Sequence, residues 1–146
     1  MVQRLQPVNS LSALLEGVVD VPVPEQLRVT GLSLDSRSIE HGDLFVGVRG
    51  VETEGRSYVP QAVAAGAGAV LVEARDGSSG QYEVPYYQVR NLRQYIGLIA
   101  SRFYGFPSRL LCVIGFTGTN GKTTCAGLTA QALEALGRRS GVIGTI

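Results

Sequence analysis

The sequence predicts an α/β protein in two parts: a small domain in which strands and helices alternate, followed by the first βαβ unit of a second domain. Three observations carry this. Short runs of β-formers, Leu44–Val48, Ala69–Val72 and Val84–Val89, alternate with segments of helical apolar spacing, a pattern that builds parallel sheets covered by helices. Glycine supplies 19 of 146 residues, about twice its usual share of ~7%, and gathers in turns and loops. Near the C-terminal end, Leu110-Leu111-Cys112-Val113-Ile114 leads into a glycine-rich turn, a Lys-Thr pair and a helical pattern.

In chain order, Asn9 or Ser10 caps a first helix carrying Leu11, Leu14, Leu15 and Val18 at helical spacing, ending near Gly17. Leu27 to Leu34 reads as a short strand broken around Gly31, closed by Asp35-Ser36-Arg37. His41 falls in a turn ahead of the buried strand Leu44–Val48, as a solvated turn residue. After a glycine- and charge-rich loop from Arg49 to Arg56, Ser57 is expected to cap a helix with Pro60 in its first turn, stopping at Gly66 or Gly68. Ala69–Val72 is a second buried strand, Glu73 to Gln81 a surface loop, and Val84–Val89 a further strand. Asn91 is expected to cap an amphipathic helix through Leu92, Tyr95, Ile96, Ile99 and Phe103. The aromatic stripe Tyr95, Phe103 and Tyr104 reads as core and not as a base-stacking platform. Tyr104-Gly105-Phe106-Pro107-Ser108 marks a boundary, giving domains 1–106 and 107–146. The second domain is one strand, loop, helix and strand (Ser140-Gly141-Val142-Ile143), and one βαβ unit cannot cover both faces of a parallel sheet. The sequence therefore reads as a piece of a longer protein.

With 45% hydrophobic and 17% charged residues, the composition is that of a soluble globular protein. A net charge of +1 gives no bulk attraction for nucleic acid or an anionic membrane. Cys112 and Cys125 belong to no metal-binding spacing and read as small apolar residues in a reducing compartment. Neither a signal-peptide core nor an apolar run of membrane-spanning length is present, so a cytoplasmic protein is expected, without membrane insertion and acting as a monomer.

The chemistry concentrates in Gly115-Phe116-Thr117-Gly118-Thr119-Asn120-Gly121-Lys122-Thr123-Thr124. Glycines let backbone N–H groups converge on an anion, and the helix opening at Lys122 adds its first amides and the positive end of its dipole. Lys122 is the candidate cation for the outer phosphates of a nucleoside triphosphate, and the Thr123 hydroxyl the candidate ligand for its magnesium. The usual loop has a glycine five positions before the glycine of Gly-Lys; here that position is Phe116, flanked by Gly115 and Gly118.

Gly118-Thr119-Asn120-Gly121-Lys122-Thr123-Thr124, with Gly115 two positions before Thr117, resembles the ATP loop of the Mur ligases, the cytoplasmic enzymes that build the peptide of bacterial peptidoglycan. Phe116 in place of the first glycine is normal in that family. Leu34-Asp35-Ser36-Arg37, Gly42-Asp43-Leu44-Phe45-Val46, Gly50, Gly55-Arg56 and Ala62 to Val72 look like the UDP-binding first domain of MurE-type enzymes, which add the third residue of the stem peptide. The resemblance thus implies a small N-terminal α/β UDP-sugar-binding domain followed by the start of a P-loop central ATPase domain.

It also implies site residues. Gly118, Thr119, Asn120, Gly121, Lys122, Thr123 and Thr124 would bind ATP, with Thr123 on Mg2+ and Lys122 acting on the transferred phosphoryl group. Leu34, Ser36, Val51, Glu52 and Thr53 would contact the UDP-sugar, the last three through their backbone. Arg37 or Arg56 could meet the diphosphate bidentately, and Arg37 could equally pair with Asp35 or Asp43. The implied substrates are UDP-N-acetylmuramoyl-dipeptide and an amino acid, diaminopimelate or lysine, joined through an acyl phosphate. The remaining catalytic parts of the family fall outside these 146 residues, so the sequence alone is expected to be inactive. MurF-type ligases, which add D-Ala-D-Ala, have a similar first domain. A P-loop kinase or NTPase of another family, or a scaffold that keeps the loop only as an anion site, are the other readings.

Overall fold

Three predicted strands and the second half of a fourth assemble into one four-stranded sheet in the computed structural model, which describes residues 8–48, 54–75 and 80–144. The strands are β1 (Leu32–Ser33), β2 (Leu44–Gly47), β3 (Ala69–Glu73) and β4 (Tyr86–Val89), all parallel and in sequence order. Leu32 lies opposite Leu44, Phe45 opposite Val70, and Val72 opposite Gln88. Consecutive residues alternate between faces, so near-continuous apolar runs fill two cores at once. On one face Leu44, Val46, Leu71 and Val89 pack with helices α1 (Leu11–Leu15) and α3 (Leu92–Phe103). On the other, Phe45, Val70 and Val72 pack with helix α2 (Val59–Ala64).

The predicted strand from Leu27 to Leu34 is two pieces with different partners. Leu27 and Val29 exchange backbone bonds with Leu11 and Asn9, whereas Leu32 and Ser33 join the sheet. The break at Gly31 has a steric cause. A β-carbon there would meet the Asp43 carboxylate oxygen at 2.5 Å. Asp43 is buried and accepts from the Thr30 hydroxyl (3.1 Å) and the Glu40 amide (3.0 Å), so it holds that corner together.

Helix ends follow the glycines. After α2, Gly66 (φ +103) donates to Val63 and Ala67 to Ala62; after α3, Gly105 (φ +70) donates to Arg102 and Phe106 to Ser101. This paired bonding satisfies carbonyls the helix leaves open, and it needs a left-handed residue that glycine adopts at little cost. Helix starts differ from expectation. Ser57 caps no helix: its hydroxyl donates to the Glu54 carbonyl inside a 3-10 turn, Gly55–Tyr58, that precedes α2. Asn91 precedes α3 in the left-handed region (φ 54) and its side chain makes no capping bond. Tyr104 also departs from the predicted core stripe. Phe103 is buried, but Tyr104 is 58% exposed with its ring edge-on to Phe103.

The chain divides into two compact units, Met1–Leu110 and Leu111–Ile146. In the second, helix α4 (Lys122–Ala135) forms as predicted and ends on Gly137 (φ +72) with the same paired bonding, Gly137 to Glu134 and Arg138 to Leu133. The flanking segments Leu110–Ile114 and Ser140–Ile143 form no ladder, and Leu110 closes a 3-10 turn, Pro107–Leu110. A strand needs a neighbour to receive its backbone groups, and β-propensity alone does not supply one. Cys112 and Cys125 are exposed thiols there, not the packed apolar residues expected.

Candidate functional site

In the first unit, Asp35 caps a 3-10 turn, Ser36–Ser38, by accepting the Arg37 amide at 3.0 Å. The Arg37 guanidinium closes on the same carboxylate, Nε to Oδ1 at 3.0 Å and Nη2 to Oδ2 at 2.7 Å. These bonds hold the Asp35 carboxyl at about 2, below its ordinary 3.8, and raise Arg37 above its own ordinary value. Of the partners open to Arg37, the structure selects Asp35. Ser36 is buried, and its hydroxyl donates to Gln61 Oε1 of α2 at 2.8 Å, a partner 25 residues away that no sequence signal marks. Leu34, two residues earlier, is 57% exposed. Leu34 is therefore open to solvent, while Ser36 is held inside against α2. Val51, Glu52 and Thr53 lie outside the described residues.

Two concavities border this region. One, about 120 Å³, is lined by Gly47, Glu54, Gly55, Arg56, Glu73 and Arg75, with the C-terminal ends of β2 and β3 in its wall. Arg56 reaches Gln88 Oε1 at 2.9 Å, and Arg75 pairs with Glu54 at 2.9 Å. The other, about 360 Å³, is a groove between β1 and α3 that takes in Leu34 and Tyr104. Neither Arg75 nor Tyr104 is singled out for a ligand by the sequence, since each declares its place only once the sheet has formed.

In the second unit, Gly118 (φ +143) and Gly121 (φ +77) occupy backbone conformations that side chains rarely adopt, and they turn the chain into α4. Cys125 donates to the Gly121 carbonyl, the first bond of the helix, so the amides of the first turn project toward the loop. The Lys122 ammonium folds back over that loop, donating to the Gly118 carbonyl and, at 3.3 Å, to the Thr119 carbonyl. Lys122, Thr123 and Thr124 are exposed. A glycine-rich turn with a lysine and the first amides of a helix beside it is chemically suited to an anion. Among the described residues no cluster of His, Cys, Asp and Glu could hold a metal ion, and no helix is long and apolar enough to cross a membrane.

The family model "Mur ligase family, catalytic domain" matches residues 28–104, within the first unit. The chain belongs to the Mur ligase family. A UDP-N-acetylmuramoyl-L-alanyl-D-glutamate–2,6-diaminopimelate ligase of Pseudomonas aeruginosa is 46% identical over 121 residues, covering 82% of this chain and 25% of that protein. A solved structure of a ligase of the same name superposes with a TM-score of 0.69 at 29% identity, covering 96% of this chain and 28% of that one. The D-alanyl-D-alanyl ligase of Acinetobacter baumannii gives a TM-score of 0.64 at 26% identity, covering 93% of this chain and 30% of that one. This Mur ligase chain spans about a quarter of the length of the curated relatives it matches.

Proposed function

We propose that this sequence is part of a MurE-type ligase, which uses ATP to join the third stem-peptide residue, diaminopimelate or lysine, to UDP-N-acetylmuramoyl-L-alanyl-D-glutamate. The observation that carries it is the 46% identity to the Pseudomonas aeruginosa ligase of that specificity, over more of the chain than either unit contains. In this reading domains 1–106 and 107–146 bind the UDP-sugar and begin the ATP-binding domain. Against an unrelated kinase or NTPase stands the family match ahead of the phosphate loop, which such an enzyme would not need.

The loop supports the assignment chemically. Lys122 exchanges the Gly118 and Thr119 carbonyls for outer phosphate oxygens, and the Gly118–Gly121 backbone with Thr124 fixes the rest. Thr123 would hold magnesium, which would neutralise charge on the phosphates. Leu34, Ser36 and the segment Val51-Glu52-Thr53 serve the UDP-sugar, and the Ser36 hydroxyl, already donating to Gln61, meets it as an acceptor. The chain as it stands is inactive in this reading, because the amino-acid site and the rest of the catalytic machinery belong to other parts of the ligase.

The full-length protein carrying this sequence should release ADP only when given the UDP-dipeptide and a third-residue amino acid. Lys122→Ala should lower that rate by about 100-fold or more, as loss of one charge-stabilising donor does. Turnover of the variant within tenfold of wild type would remove Lys122 from its role. A MurF-type ligase is the second reading, supported by the 0.64 TM-score to the D-alanyl-D-alanyl enzyme. Release dependent on UDP-tripeptide and D-Ala-D-Ala would select it, and release with neither substrate pair would overturn both.

A further inference from the structure

We propose that Gln61 is a positioning residue of the nucleotide-sugar site. By accepting from the Ser36 hydroxyl it leaves that hydroxyl only lone pairs to offer, and so decides which groups of the ligand Ser36 can meet. This rests on the ligase reading above and adds to it a residue on α2 and a rule of selection.

A serine hydroxyl has one proton and two lone pairs, and while free to rotate it meets a donor or an acceptor equally well. At Ser36 the rotation is fixed. Its Oγ donates to Gln61 Oε1 at 2.8 Å, the ordinary length of such a bond. The residue is only 5% exposed, so little water competes for the proton. The neighbouring serines behave differently. The Ser33 and Ser38 hydroxyls bond each other at 2.8 Å with either as donor, and each also reaches the Asp35 carbonyl, so their protons have two places to go.

The bond joins two elements that are themselves held. The turn Ser36–Ser38 is capped by Asp35, which accepts the Arg37 amide at 3.0 Å. Helix α2 has Pro60 in its first turn, and the Gln61 carbonyl accepts the Ala65 amide at 3.0 Å. Ala62, the next residue, is buried in the core beneath Phe45 and Val70. Gln61 itself is exposed, so the N–H groups of its amide stay hydrated while its oxygen holds Ser36.

A fixed acceptor selects by chemistry. The N–H and hydroxyl groups of a nucleotide sugar fit it, and the diphosphate oxygens, which carry no proton at neutral pH, do not. Sites built to pair one N–H or O–H discriminate strongly against a ligand that lacks it.

The test is an NMR titration of the 146-residue chain with UDP-N-acetylmuramoyl-L-alanyl-D-glutamate, run as a double-mutant cycle. Ser36→Ala should weaken binding about tenfold, as loss of one hydrogen bond does. Gln61→Met should weaken it about fivefold when Ser36 is present and less than twofold when Ser36 is already alanine. In the Gln61→Glu background, where the carboxylate can only accept, Ser36→Ala should again cost about tenfold. Comparing within one background cancels the effect of the added charge on the diphosphate. Amide signal dispersion checks folding of each variant, and Met is a good helix former at this exposed position. Should Ser36→Ala fail to fold, Ser36→Cys, a weak hydrogen-bonding group, takes its place in the cycle. Gln61→Met within twofold of wild type, or an equal loss with and without Ser36, overturns the positioning role and leaves the ligase reading intact. Loss of the Ser36 effect in the Gln61→Glu background overturns the polarity, because it would make the Gln61 amide the donor. Absence of binding by the wild-type chain overturns both the proposal and the reading it rests on.

Discussion

Asp35 illustrates how one short segment settles its own charge. Its carboxylate accepts both the amide and the guanidinium of Arg37, so it stays ionised down to about pH 2 against an ordinary 3.8. A depressed folded-state value contributes stability that is present above about pH 4 and is lost as pH falls through 2. Arg37→Ala should return the Asp35 titration toward its ordinary value in carboxyl-detected NMR; an unchanged midpoint would assign the shift to the turn amide alone. At Tyr86 the balance runs the other way. Its hydroxyl oxygen is sealed from solvent and has no hydrogen-bond partner among the described residues, and burial raises its pKa. A buried hydroxyl without a partner costs about 1–3 kcal/mol. Tyr86→Phe should therefore hold or raise the thermal midpoint of the first unit, and a clear fall would reveal a bonded hydroxyl. The sequence left Arg37 open between a diphosphate and two carboxylates, because all three lie within reach of a long flexible side chain. The Ser36–Gln61 bond was not legible at all, since it depends on α2 folding back across the sheet.

Elements were legible where periodicity was strong and their boundaries were set by glycine. Strands β2 and β3 and helix α3 stand where apolar spacing placed them, and Gly66, Gly105 and Gly137 end three helices by one bonding scheme. Starts were less legible, because Ser57 and Asn91 have cap-like side chains whose bonds go elsewhere or are not made. The strands flanking the phosphate loop illustrate a different limit: Val113 and Ile114 have the right propensity, but a ladder is a property of two segments. Two glycines test the packing of these elements. Gly97 lies mid-helix in α3, exposed, with nothing within 4 Å of a built β-carbon, so Gly97→Ala should stabilise by ~0.5–1 kcal/mol. At Gly55 a β-carbon would meet Val48 O and Gly47 C at 2.5 Å, backbone atoms that cannot rotate away. Gly55→Ala should cost about 1–3 kcal/mol. Denaturant midpoints of the two variants moving in the same direction would contradict this account of α3 and of the β2 end.

At the scale of the molecule, the first unit has two closed cores while the second exposes Leu111, Val113 and Ile143. The first unit is therefore the part with closed cores of its own, and both concavities described above belong to it. The glycine-rich turn into α4 was readable from residue types alone, because glycines, a lysine and a helix start fall in a fixed order along the chain. The groove of the first unit was not readable, because its walls come from β1, β2 and α3, whose proximity no local pattern records. The most direct measurement of the central claim is a calorimetric titration of the 146-residue chain with UDP-N-acetylmuramoyl-L-alanyl-D-glutamate. The account predicts saturable heat at one site with a Kd below about 1 mM, corresponding to roughly −4 kcal/mol or better. No heat at millimolar ligand, from a chain shown to be folded, would contradict it.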